Sequence, residues 1–144
     1  MSAAEPGKSF LDTNILVYLF APDAPEKRVR ARQVLERAGA EAELVVSVQV
    51  LQEFFVTVTR LASEPLSSEA AEEEVRRLCA FEVVRTDERL VLAGIQRSRT
   101  AKISFWDALI VEAALRAGCT TLYTEDLHDG WLVDGRLRVV NPFT

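Results

Sequence analysis

The stretch "SFLDTNILVYLF", Ser9 to Phe20, decides how this chain is read. Ser9, Phe10 and Leu11 lead in like the first strand of a buried sheet, and Ile15 to Phe20 are almost wholly apolar. Asp12 interrupts them. An unpaired buried charge costs several kcal/mol. Either Asp12 sits where the strand has just ended, facing a cleft, or it has a partner elsewhere in the chain.

Outward from Asp12 the chain alternates strands and helices. Ser9–Leu11, Leu44–Val46, Phe81–Arg85, Thr120–Tyr123 and Leu137–Val140 are short and apolar, mostly β-branched or aromatic, and predict five strands. Between them, Ile15–Phe20 predicts a short helix. Ala24–Gly39 places Val29, Val34, Leu35 and Ala38 on one side and stops at Gly39. A third helix starts behind Ser47 as its N-cap. Ser67–Ala80 carries acids early and arginines late, as the helix dipole favours. Further helices begin behind Thr86 or Asp87 and behind Ser104, the last stopping at Gly118. Alternation of this kind implies βαβ units, hence an α/β domain with a mainly parallel central sheet flanked by helices. Such sheets bind ligands beyond the carboxyl ends of their strands, at the switch point in strand order. Asp12 lies at such an end.

At 144 residues the chain is expected to be one domain, residues 1–144, with residues 1–8 as a loose tail lacking the apolar core of a signal peptide. Its hydrophobic fraction of 49% and charged fraction of 27% place it among soluble globular proteins. No stretch approaches a membrane span, because the most apolar helical run, Ala108 to Val111, is stopped by Glu112. Cys79 and Cys119 form no C-x-x-C, so neither a zinc site nor a disulfide framework is indicated, and the cytoplasm is the expected compartment. The net charge of −5 has the wrong sign for phosphate contacts, unless a metal ion reverses it locally.

Three more acids stand in apolar surroundings near strand ends or helix starts: Glu53 in "VLQEFF", Asp107 in "ISFWDALIV" and Asp126 in "LYTEDL". Each also has a plain structural reading. Asp12 and Asn14 cap the short helix; Glu53 is a solvated helix acid; Ser104-x-x-Asp107 fits a capping box; Thr124-Glu125-Asp126 is a turn. The readings are compatible, since a capping acid at the sheet rim can also face a metal. Two carboxylates ~5 Å apart repel by roughly 3 kcal/mol at an effective dielectric of 20. Four at one rim therefore take up protons or hold a cation. Oxygen-only donors select hard ions, Mg²⁺ or Mn²⁺.

The blocks "FLDTNILVYLF", "SVQVLQEFFVTVTR", "ISFWDALIVEAAL" and "LYTEDL", with the closing "GRLRVVNPF", resemble a PIN domain of the VapC toxin type over Phe10 to Phe143. The resemblance implies a Mg²⁺- or Mn²⁺-dependent endoribonuclease, the toxin of a toxin–antitoxin pair, forming a homodimer held by a VapB-type antitoxin. The family's acidic positions match Asp12, Glu53, Asp107 and Asp126. Asp12 and Asp107 would be the principal metal ligands, completed by Asp126 and Glu53. Asn14 and Thr124 match its supporting polar residues, while Asp129 is an additional acid of open role.

Arg97, Arg99 and Lys102 lead into the Asp107 block and are candidate RNA contacts; Lys27, Arg28, Arg30 and Arg32 form a second basic patch. His128, the only histidine, reads as an exposed loop residue, which leaves no pair of histidines for metal-free RNA cleavage. The apolar excess of Leu51–Val58 is a candidate antitoxin surface. Two alternatives stand beside the ribonuclease reading. An aspartate-nucleophile phosphohydrolase also places an Asp after the first strand, but needs a second Asp two positions on, where this chain has Asn14. A non-catalytic module would keep the fold without needing all four acids.

Overall fold

The computed structural model describes residues 7–144. The sheet is built from six strands: β1 (Lys8–Leu11), β2 (Glu43–Ser47), β3 (Glu82–Val84), β4 (Thr121–Tyr123), β5 (Leu132–Val133) and β6 (Leu137–Val140). Its spatial order is β3-β2-β1-β4-β6-β5, parallel throughout except for the β5–β6 pair. The order therefore reverses between β1 and β4, where Phe10 pairs with Leu122 and Leu11 with Tyr123.

Six helices join the strands: α1 (Thr13–Tyr18), α2 (Pro25–Glu41), α3 (Val48–Val58), α4 (Ser68–Leu78), α5 (Glu88–Ala101) and α6 (Phe105–Arg116). Their starts follow local chemistry. Ser47, Ser67, Asp87 and Ser104 each accept a hydrogen bond from the backbone N–H three residues on, which satisfies a donor the helix leaves unpaired. The core lies on both faces of the sheet, with Phe10, Leu11, Val45, Val46 and Leu122 of the strands packed among Ile15, Val50, Phe54, Ile110 and Val111 of the helices. α6 is so thoroughly covered that seven of its twelve residues are buried. It crosses α5 closely at Gly94, where an added Cβ would lie 2.8 Å from Leu109 Cδ2 and 3.4 Å from Phe105 Cε1.

The structure departs from the sequence-based expectations at four places. Lys8 belongs to β1 and pairs with Glu82 at 2.8 Å, so the expected tail ends before it; residues 1–6 lie outside the described residues. α2 runs through Gly39 to Glu41, because Gly39 takes no left-handed conformation and Ala40 and Glu41 are adequate helix formers. Val29 faces solvent at 55% exposure; Ala31, Val34 and Ala38 are the buried stripe. The sixth strand, β5, comes from a hairpin turned at Asp134 and Gly135, both at positive φ (51° and 67°). The Asp-Gly pair is the turn signal that the sequence carried.

Candidate active site

The switch point brings the acids together. Asp12 ends β1 and caps α1. Its backbone N–H donates to Tyr123 O at 3.0 Å, so it continues the β1–β4 ladder by one bond. Its carboxylate accepts from Thr13 N through Oδ1 and from Thr124 Oγ1 through Oδ2, both at 2.7 Å. Thr124, fully buried just past β4, in turn accepts from Asp126 N at 3.1 Å. One hydroxyl thus ties the acid after β1 to the acid after β4. Asp107 enters from the first turn of α6, which begins at this same rim because its far end must feed β4. One carboxylate oxygen from each of Asp12, Asp107 and Asp126 lies within 4.8 Å of the others.

Asp12 is 4% exposed, and burial pushes its carboxyl up to about 7 against the hydrogen bonds from Thr124 and Thr13; the charges of Asp126 and Glu53 push the same way. Partial loss of water raises Asp126 too, with the Asp107 charge next in weight, opposed by the bond from Asn14. Asn14 spans both: its Nδ2 lies 2.9 Å from Asp126 Oδ2 and 3.5 Å from Asp12 Oδ2 and Thr124 Oγ1. Its Oδ1 accepts from Glu125 N at 3.4 Å.

Glu53, midway along α3, faces the same cavity but stands outside the triple carboxylate contact. Its Oε1 accepts from Thr13 Oγ1 at 2.9 Å and from Gln49 Nε2 at 3.4 Å. Gln49, buried one helical turn before it, also donates to Trp106 O at 3.2 Å, which fastens α3 to the start of α6. Thr13 and Gln49 were missed by sequence reasoning. The i to i+4 spacing of Gln49 and Glu53 was the available signal for one of them.

The Asp107 capping box is half made. Asp107 N donates to Ser104 Oγ at 3.0 Å, while among the described residues the Asp107 carboxylate accepts no returning bond from Ser104. Its charge therefore faces the cavity and the other acids. The cavity, about 510 Å³, is lined on its polar side by Asp12, Asn14, Glu53, Asp107 and Asp126, and on its apolar side by Val17, Val56, Trp106 and Ile110. No Lys or Arg lines it among the described residues.

The basic candidates lie elsewhere. Arg97 is forked between Glu112 at 2.8 Å and Asp134 at 2.7 Å, pinning the β5–β6 hairpin to α5 and α6. Arg99 is exposed in the last turn of α5, and Lys102 is its left-handed C-cap. Lys27 pairs with Glu125 at 2.9 Å and lies over the Tyr18 ring, while Arg30 reaches Pro142 O at 3.4 Å. Arg28 and Arg32 are exposed on α2. His128 is exposed. Asp129 accepts from Asn141 N at 2.8 Å and so anchors the C-terminal segment; it does not line the acid cavity.

The family model of the PIN domain matches residues 9–128. Among curated proteins no sequence matches the chain. Among solved structures, a toxin–antitoxin complex from Klebsiella pneumoniae superposes with a TM-score of 0.69 at 22% identity, covering 93% of this chain and 97% of that one. VapC20 of Mycobacterium tuberculosis, a toxin that cleaves the sarcin–ricin loop, gives 0.60 at 18% identity over 79% of this chain and 86% of its own. VapBC2 from Rickettsia felis, bound to a promoter DNA fragment, gives 0.58 at 18% identity over 93% and 99%. These likenesses establish a shared fold.

Proposed function

This chain belongs to the PIN domain family, and from that membership we propose that it is a divalent-metal-dependent endoribonuclease, the toxin of a toxin–antitoxin pair. The observation that carries the reading is the meeting of Asp12, Asp107 and Asp126, from three separate segments, with ligand atoms within 4.8 Å in a cavity that no Lys or Arg lines among the described residues.

The donor set fits a hard divalent ion. All three groups are carboxylates, the most buried of them already fixed by two 2.7 Å hydrogen bonds, and no basic side chain in the cavity competes for their charge. Asp12, Asp107 and Asp126 would hold Mg²⁺ or Mn²⁺, with Glu53 completing the site directly or through a water. Once bound, the ion would lower the pKa of a water and offset the charge on a phosphodiester. Thr13 and Thr124 orient the Asp12 carboxylate, one through each of its oxygens. Asn14 holds Asp126 against Asp12 without adding charge.

The chain would act in the cytoplasm as a homodimer with a VapB-type partner. An apolar groove between α3 and α4, lined by Leu51, Phe55, Val56 and Val75, supports docking of an amphipathic helix; it shares Gln52 and Val56 with the acid cavity, so such a helix would reach the acids.

The test is hydrolysis of single-stranded RNA with Mg²⁺ or Mn²⁺, against EDTA, by wild type and Asp107→Asn. Metal-dependent cleavage by wild type alone is expected. Equal turnover by both, or cleavage undiminished in EDTA, overturns the proposal.

A further inference from the structure

Trp106 stands immediately before Asp107 on the rim of the acid cavity and is 61% exposed. Its backbone is fixed, since its carbonyl accepts from the buried Gln49 and the first turn of α6 begins there. Its ring meets the Phe105 ring edge-on, with centroids 5.2 Å apart at 67°, so its orientation is set from one side while a face stays open. Tyr18, the other aromatic of the cavity, is already engaged. Its hydroxyl donates to Glu125 and accepts from Lys27, and its ring packs edge-on against Phe143 at 5.0 Å.

A substrate bound here gains little from ordinary phosphate contacts. The cavity wall offers no Lys or Arg, and the chain carries a net charge of −5. Nucleobases, by contrast, bind to exposed aromatic faces without needing positive charge. Such stacking requires the base to be out of a helix, as in loops and single strands. We propose that Trp106 stacks an unpaired base of the RNA next to the phosphodiester held at the acids, and so restricts the substrate to single-stranded or loop RNA. This rests on the ribonuclease reading. Trp106 is here a specificity residue, with no part in the chemical step.

Two measurements test it. The first titrates the full-length protein, in Ca²⁺, with a single-stranded oligoribonucleotide and with its duplex, following tryptophan emission. The single strand should quench wild type, the quench should be lost in Trp106→Phe, which retains Trp131, and the duplex should have no such effect. The second measures cleavage in Mn²⁺. Trp106→Ala should raise KM for single-stranded RNA roughly tenfold to a hundredfold, as loss of one stacked base does, and leave kcat within a few-fold. Trp106→Phe should recover most of the loss.

Unchanged KM in Trp106→Ala, with cleavage still abolished by Asp107→Asn, overturns the stacking role and leaves the ribonuclease standing. Quenching by the duplex as strong as by the single strand also overturns it. Trp106-dependent quenching without any metal-dependent cleavage supports the stacking contact and overturns the ribonuclease. Emission that RNA leaves unchanged, in a protein that cleaves nothing, overturns both. An unchanged emission is also the result expected if Trp106 seats a protein partner.

Discussion

Asn14 Nδ2 donates to Asp126 Oδ2 at 2.9 Å across 112 residues of sequence, and the same amide stands 3.5 Å from Asp12 Oδ2. A neutral donor placed between two carboxylates relieves part of their repulsion without occupying the position of a metal ligand.

Asn14→Asp should therefore act twice. It removes the donor and adds a like charge to the cluster, so the EDTA-treated protein should melt lower than wild type. Asn14→Ala removes only the donor, and should lose about tenfold to a hundredfold in metal affinity or turnover, as loss of an orienting partner does. Calorimetry with and without Mn²⁺ checks both variants; an Asn14→Asp that melts as wild type in EDTA refutes the bridging role.

Asp107→Asn separates a metal ligand from a helix cap. The carboxylate takes no returning bond from Ser104, so its charge opposes Asp126 more than it serves the cap. The variant should melt higher than wild type in EDTA and gain far less from Mg²⁺. For wild type, a hundredfold excess of ion over Kd stabilises by roughly 2.7 kcal/mol, a rise on the order of 5–10 °C for a domain of this size. A lower EDTA midpoint with an unchanged Mg²⁺ gain would identify Asp107 as a cap alone.

The raised carboxyl of Asp12 fixes the sign of a pH dependence. Its folded value of about 7 lies above its ordinary value of 3.8, so between the two the folded chain binds more protons than the unfolded one. In EDTA, the Asp12 contribution to stability should be fully present below the ordinary carboxylate range and be lost as pH rises through about 7, at up to ~1.4 kcal/mol per pH unit for one proton. Metal affinity should rise over the same interval, because the ion displaces that proton. Melting curves across this range, repeated on Asp12→Asn, check it: the variant should lose most of the slope.

Arg97→Met should destabilise the domain by about 1–3 kcal/mol, because Glu112 and Asp134 lose their common partner while the half-buried Glu112 keeps its charge. Cleavage at a temperature where the variant stays folded should be unaffected, since Arg97 lies outside the acid cavity. Urea titration and an RNA cleavage assay together check this; a loss of binding without loss of stability would return Arg97 to the RNA surface.

Much of this arrangement was legible in local sequence. Asp12 betrayed itself by its apolar neighbours, and it both caps α1 and stands in the acid cluster. Ser47 and Ser104 announced their helices for the same local reason. What escaped reading depends on contacts far apart in the chain. Nothing near Arg97 reveals that Asp134, 37 residues on, will hold it. Nothing in "VLQEFF" says that the Glu53 carboxylate rests on Thr13, 40 residues back. Gly39 misled because a glycine stops a helix only when the chain turns left-handed there, and Gly39 stays within α2 without such a turn. The hairpin strand β5 is two residues long, too short for any periodicity to register.

The hydrogen bond from Thr124 to Asp12 joins β4 to β1, adjacent strands whose residues pair across more than a hundred positions, Ser9 with Thr121. Such a pairing carries a loop-closure cost set by the length of chain between its ends. During synthesis, Asp12 and Glu53 leave the ribosome long before Thr124 and Asp126 exist. A chain cut short anywhere before Thr124 lacks the hydroxyl that orients Asp12 and the acid that completes the cluster. On the proposed reading, a chain that stops short of Thr124 would therefore not cleave RNA, because the acid cluster is assembled only after β4.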